Sequence, residues 1–260
     1  MKLKVFVVNA FSDKKFGGNP AAVVPLNEWL SDLLMQQIAA QNNLAETAYI
    51  VLQGEDYAIR WFTPTVEVDL CGHATLASAH ILFEHLNYAR SRIVFHSKSG
   101  PLQVTRNHDK ITLNFPANAP EKFFDDGLIE KSIGIKPLAV FKSRFDYMVL
   151  LGNQPDVETL KPDLAFVRKL PARGLIVTAK GEEADFVSRC FYPQSGIDED
   201  PVTGSAHTVM VPFWAKEAGK NKLTAIQLSA RRGYLDCELM EDRVLMSGHA
   251  HTYLEGNFYV

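Results

Sequence analysis

Two stretches of this chain lack the polar face that a surface helix keeps. Residues 72–86 carry apolar side chains at 74, 76, 77, 79, 81, 82, 83 and 86, and residues 204–215 carry them at 206, 209, 210, 211, 213, 214 and 215. A helix that is apolar all round is a buried one, so both stretches predict core helices. Pro212 is expected to kink the second helix or end its first segment. Shorter runs rich in β-branched and aromatic residues, bounded by Gly, Pro or Asn, predict strands at 4–8, 21–24, 48–52, 58–62, 93–95, 102–105 and 111–115. A second set is predicted at 175–178, 186–191, 225–228, 235–239 and 244–247. Residues 31–42 predict a helix capped by Ser31, with Leu34, Ile38 and Gln41/Asn42 at helical spacing.

The two sets share an order because the chain repeats itself. Arg60-Trp61-Phe62-Thr63-Pro64 recurs as Arg189-Cys190-Phe191-Tyr192-Pro193, and Gly72-His73-Ala74-Thr75 as Gly204-Ser205-Ala206-His207. Further on, Ser99-Gly100-Pro101-Leu102 matches Arg232-Gly233-Tyr234-Leu235, and Lys110-Ile111-Thr112-Leu113 matches Arg243-Val244-Leu245-Met246. The offset stays near roughly 130 positions, far too long for a solenoid. It implies two copies of one α+β domain, each drawn as a curved, barrel-like sheet around its central helix. The boundaries expected are 1–116 and 120–252, with the linker at 116–120. A strand-like tail at 253–260 is left over and free to rejoin the first domain.

Charge and composition narrow the function. With 27 basic and 30 acidic side chains the net charge is −3 and no basic cluster stands out, which argues against a nucleic-acid partner. No apolar run approaches the ~18 residues of a membrane span. The first residues read as a strand rather than a signal peptide. Three widely spaced cysteines, Cys71, Cys190 and Cys237, suggest a reducing compartment without a disulfide framework; the expectation is a cytoplasmic protein.

Two facing copies would leave a cleft suited to a small molecule, and the candidate chemistry gathers at the two core-helix starts. Each has a Gly-containing turn, Leu70-Cys71-Gly72-His73 and Val202-Thr203-Gly204-Ser205. Free N–H groups and the positive dipole end suit such a turn to a carboxylate. Glu46 is either a surface residue on an alternating strand or a carboxyl of raised pKa able to move a proton. His73, in the first turn of a buried helix, is expected to be neutral there. Asp200 reads as a turn residue or a further acid, Thr203 as a natural N-cap, and Ser205 as a hydroxyl donor. Asn19 lies in Phe16-Gly17-Gly18-Asn19-Pro20, a tight turn without a phosphate-loop lysine, expected to line the cleft. At a helix start the Cys71 thiol could have a depressed pKa, but a two-thiol racemase would want a second cysteine where Thr203 stands. His249 and His251 share a strand face without a third metal ligand; His80 and His85 read as core or helix-end residues. No metal site is expected.

Gly-Asn-Pro near the start, Ala-Glu-Thr around Glu46, Cys-Gly-His-Ala-Thr from Cys71 and Asp-Pro-Val-Thr-Gly-Ser-Ala from Asp200 together resemble the PhzF-like isomerase family of phenazine biosynthesis. The resemblance spans essentially the whole chain. It implies the diaminopimelate-epimerase fold, two similar α+β domains with the active site between them. It also implies no metal or organic cofactor, a homodimer, and a small carboxylate substrate. Residue by residue it places the proton-moving glutamate at Glu46 and supporting roles at His73, Asp200 and Ser205. Gly72 and Gly204 N–H groups, with Cys71, Thr203 and Asn19, fall to substrate binding. An amino-acid or hydroxy-acid epimerase, and a non-catalytic binder of small acids, remain as alternatives.

Overall fold

A computed structural model describes residues Met1–Val260. It is an α+β protein whose contacts divide it into two units, 1–114 with 247–260, and 115–246.

In the first unit, strand Lys2–Ala10 pairs antiparallel with both Asn19–Leu26 and Ala250–Tyr259. Asn19–Leu26 runs parallel to Glu46–Gln53, which is antiparallel to Asp56–Phe62. Asp56–Phe62 is parallel to Arg92–Ser97, and Arg92–Ser97 is antiparallel to Gly100–Asn107. Helix α1, Asp32–Asn42, starts at Ser31, whose hydroxyl accepts from the Leu34 N–H. Its buried residues are Met35, Ile38 and Ala39, and Leu34 packs partly buried against the same cluster with Tyr49 and Phe62. The Tyr49 hydroxyl donates to the Met35 carbonyl at 2.6 Å.

Helix α2, Gly72–Glu84, is the first core helix. All its residues except His80 and Glu84 are buried, and it packs on Lys2–Ala10, Asn19–Leu26, Glu46–Gln53 and Ala250–Tyr259. Burying each of Leu76, Ile81 and Leu82 contributes about 1.5–3 kcal/mol, so the helix is held by its surroundings rather than by its own propensity.

The second unit repeats the succession. Its short helices are α3 (Leu128–Ile133), α4 (Gln154–Thr159) and α5 (Leu164–Val167). Strand Asp146–Leu150 runs parallel to Gly174–Lys180, which is antiparallel to Phe186–Tyr192. Phe186–Tyr192 is parallel to Lys222–Gln227, which is antiparallel to Gly233–Met240. Parallel, antiparallel, parallel, antiparallel is the order of the first unit as well. An ion pair repeats with it. Arg60 grips Glu67 through Nε at 2.7 Å and Nη2 at 2.8 Å, and Arg189 grips Glu199 at the same two distances. Each fork ties a strand to the segment that leads into the core helix.

Helix α6, Gly204–Ala218, is the second core helix. It runs unbroken through Pro212, so the proline does not end a first segment. A proline inside a helix has no N–H for the carbonyl four residues back, here that of Thr208. That carbonyl instead accepts from the backbone N–H of Asn118, at 3.0 Å. The segment after Pro116 thus supplies the bond that the proline removes.

Candidate active site

In the first unit, local turns set the positions. Gly18 has φ +67°, and any Cβ there would strike the Ala10 carbonyl and the Ser12 side chain. This glycine lets the chain fold back so that Asn19 opens its strand. Helix α1 ends with Asn43 in the left-handed region, φ 49°, and Glu46 opens the strand that follows. The parallel register Ala21↔Glu46 brings the beginnings of these two strands together. Cys71 is the N-cap of α2, and His73 lies in its first turn.

Four predicted residues meet here. His73 Nε2 is 3.1 Å from Glu46 Oε2. The two are out of line for a hydrogen bond, and neither atom has another hydrogen-bond partner. Cys71 Sγ is 3.5 Å and Asn19 Nδ2 is 3.2 Å from His73 Nδ1. All four residues are buried. As placed, the Asn19 amide donates to Nδ1 and leaves the ring proton on Nε2, facing Glu46. A half-turn of the same amide would present its oxygen to a protonated Nδ1, so Asn19 can serve either charge state.

Two expectations about charge fail here. Burial disfavours a charged His73, but the Cys71 sulfur and the Glu46 carboxylate beside the ring outweigh it and hold its pKa well above the ordinary histidine value. The helix dipole favours a neutral imidazole, but a carboxylate at 3.1 Å is the stronger influence. Burial, reinforced by Glu46, pushes the Cys71 thiol up to about 11, the reverse of the depression a helix start can cause. Cys71 is therefore a neutral thiol at pH 7.

Glu46, Cys71 and His73 offer metal-ligand atoms within 4.8 Å of one another. The thiol, however, stands at Nδ1 and the carboxylate at Nε2. The lone pairs of the two ring nitrogens diverge, so this order suits passing a proton along the ring better than converging on one ion. His249, the other metal candidate from sequence, has Nδ1 3.0 Å from Asp13 and Nε2 3.1 Å from Asp109. His80 and His85 both place Nε2 at 2.9 Å from the Thr252 hydroxyl, and so brace the returning strand Ala250–Tyr259.

In the second unit, Thr203 holds the N-cap position of α6 but makes no capping bond. Its hydroxyl donates to Asp200 Oδ2 at 2.6 Å, a charge-assisted bond that fixes its rotamer. Gln227, fully buried, ties the turn together. Its Oε1 accepts from the Thr203 N–H at 2.8 Å, and its Nε2 donates to the Asp200 carbonyl at 2.7 Å and to the Thr203 hydroxyl at 3.1 Å. Ser205 Oγ accepts from Arg173 Nη2 at 3.0 Å. Gly72 and Gly204, each the first residue of its core helix, are buried.

Sequence reasoning missed Gln227, Arg173 and Asp146. Gln227 had a signal, an amide at the end of the apolar run Ala225-Ile226. The pair Arg173–Asp146 had none, since it joins two strand starts far apart in the chain.

Comparisons with known proteins agree on kinship. The profile of the phenazine biosynthesis-like protein family matches residues 8–256. An uncharacterized isomerase of Pseudomonas aeruginosa is 48% identical over 261 residues, covering 100% of both chains. A crystal structure of a PhzF-family phenazine biosynthesis protein from Enterococcus faecalis superposes with TM-score 0.97 at 42% identity, covering 100% of both chains. A hydroxyproline epimerase from Agrobacterium vitis, at 7% identity and TM-score 0.63, covering 98% of this chain and 92% of its own, shares the fold alone. By sequence match and by fold, the chain belongs to the phenazine biosynthesis-like, or PhzF, family.

Proposed function

We propose that this chain is a cofactor-independent isomerase that moves a proton on a small carboxylate substrate, with Glu46 acting first as base and then as acid. The observation that carries this reading is the buried Glu46 carboxylate, whose Oε2 faces His73 Nε2 at 3.1 Å with no hydrogen-bond partner. A carboxylate left without a bonded partner in a buried site is ready to take a proton. His73 shares or orients that proton, and Asn19 holds the ring. Backbone N–H groups of Gly72 and Gly204, with the Ser205 hydroxyl, bind the substrate carboxylate, and Asp200 supports the same reaction. Similarity to proteins named isomerases supports the reaction class. Cys71 speaks against two-thiol epimerisation, since its thiol is neutral and the equivalent Thr203 hydroxyl is engaged with Asp200.

The test is proton NMR in D₂O with dihydro-hydroxyanthranilate and a panel of amino and hydroxy acids. Wild-type protein should consume dihydro-hydroxyanthranilate, and Glu46→Gln should slow this by about 10²–10⁴-fold. An unchanged rate in that variant removes Glu46 from the mechanism. Exchange confined to the α-carbon of a panel acid would make the protein an epimerase instead.

A further inference from the structure

The second unit holds a buried charge pair that the proposed reaction does not use. Asp146 is fully buried, and both its oxygens are taken by Arg173, Oδ1 from Nε at 2.9 Å and Oδ2 from Nη2 at 2.5 Å. A two-point fork of this kind fixes the plane of the guanidinium as well as its position. Packing reinforces it. The guanidinium lies 5.2 Å from the centre of the Tyr192 ring and 5.7 Å from that of Phe145. The next residue, Gly174, pairs with Asp146 across the parallel strands. A Cβ on Gly174 would enter the Tyr192 ring, so glycine is what lets the ring come under the arginine.

The clamped guanidinium reaches one further group, the Ser205 oxygen, to which Nη2 donates at 3.0 Å. This contact fixes the sense of the serine. With an N–H of arginine aimed at its oxygen, the Ser205 proton must point elsewhere, and it meets no acceptor in the protein. The N–H groups of Arg173 Nη1 meet none either. Arg173 is about two-fifths exposed, 39%. With one Ser205 lone pair already taken by Arg173, the cluster presents more hydrogen-bond donors than acceptors, which is the chemistry that recognises an anionic oxygen.

We infer that Arg173 is a positioning residue: held by Asp146, it turns the Ser205 hydroxyl outward as a donor and so makes this part of the site selective for a carboxylate over its neutral amide. The inference rests on the reading in which Ser205 contacts the substrate carboxylate. A purely structural arginine would neutralise Asp146 without touching Ser205, and would leave ligand selectivity alone.

The test compares binding of anthranilate and of 2-aminobenzamide, its uncharged counterpart, by calorimetry. Hydrogen bonds to charged groups are worth about 1.5–3 kcal/mol, so wild-type protein should prefer anthranilate by ~10–100-fold. Arg173→Lys keeps the charge and loses the fork; it should erase most of that preference while affinity for the amide holds. In a Ser205→Ala background the same change should have no further effect. Should Arg173→Lys fail to fold, Asp146→Asn frees the fork with the arginine kept, and the preference should fall likewise. Three outcomes overturn the inference: no preference in the wild type, a preference that survives both variants, or equal weakening of the two probes. Independent losses from Arg173→Lys and Ser205→Ala would show the arginine acting without the serine, and would overturn it too. Glu46→Gln separates this from the proposed reaction: it should slow proton transfer by about 10²–10⁴-fold, and the fall in preference that Arg173→Lys causes should be the same in that background.

Discussion

The starts of α2 and α6 are repeat-equivalent, and their side chains differ in kind. At the fourth residue of each motif the two still do the same thing. The Thr75 hydroxyl donates to the Cys71 carbonyl, and His207 Nδ1 donates to the Thr203 carbonyl at 2.8 Å. At the second residue they part. His73 faces a carboxylate and a thiol, whereas Ser205 faces an arginine. The N-caps part as well, a buried neutral thiol at Cys71 against a threonine bonded to Asp200. The α2 start has groups that exchange protons. The α6 start has groups that give hydrogen bonds and is braced by Gln227 from its own sheet. A duplicated scaffold can keep its bonding pattern where that pattern holds the helix, and diverge where side chains are free to take up chemistry.

The comparison can be broken most severely at Gln227. Gln227→Leu would strand the Thr203 N–H inside the protein and take one hydrogen bond each from the Asp200 carbonyl and the Thr203 hydroxyl. A stranded buried group costs about 1–3 kcal/mol and a lost hydrogen bond about 0.5–1.5 kcal/mol, so urea unfolding should show a loss of ~2–5 kcal/mol. A change under 1 kcal/mol would mean that the turn is not held by this amide.

A second test uses the buried histidine of α6. Burial pushes His207 down to about 4, against an ordinary value near 6.5. Between these values the unfolded chain binds the extra proton, so stability is complete above about pH 6.5 and falls as the pH drops toward 4. This group's share of the loss is at most ~3 kcal/mol. His207→Gln should flatten the acid side of the stability curve measured by chemical denaturation. An identical slope in the variant would place the acid sensitivity elsewhere.

The smallest effect is expected at Cys71. Its protonated thiol lies beside His73 without an essential charge, so Cys71→Ser should leave turnover within about threefold, as fits a neutral hydrogen-bond exchange. A loss comparable with that of Glu46→Gln would make the thiol a proton carrier and restore the epimerase reading.

What was legible in the sequence was whatever local pattern controls. The two core helices showed themselves by apolar residues on every side, and the repeated Arg60 and Arg189 by their place in matching motifs. Charge states were not legible. A histidine or a cysteine at a helix start is read through the dipole, but His73 and Cys71 answer to Glu46, which only folding brings near. Thr203 stands at the N-cap as its type suggests, but its hydroxyl makes no capping bond, because it is taken by Asp200 and by Gln227, which only folding brings near. That the helix would continue past Pro212 was not legible, because the donor that serves the Thr208 carbonyl, Asn118, lies far back in the chain.

That last bond bears on how the gene could be rearranged. Segments between duplicated halves are usual points for opening a chain, lengthening it or permuting its ends, since little depends on them. Here the backbone at 118 completes the helix ladder around Pro212. An insertion placed before 117 would leave that rung in place, whereas new termini at 118 would put the Thr208 carbonyl's donor on a fraying chain end. The joint between the halves is thus also a splint, and the proline fixes where it can be cut.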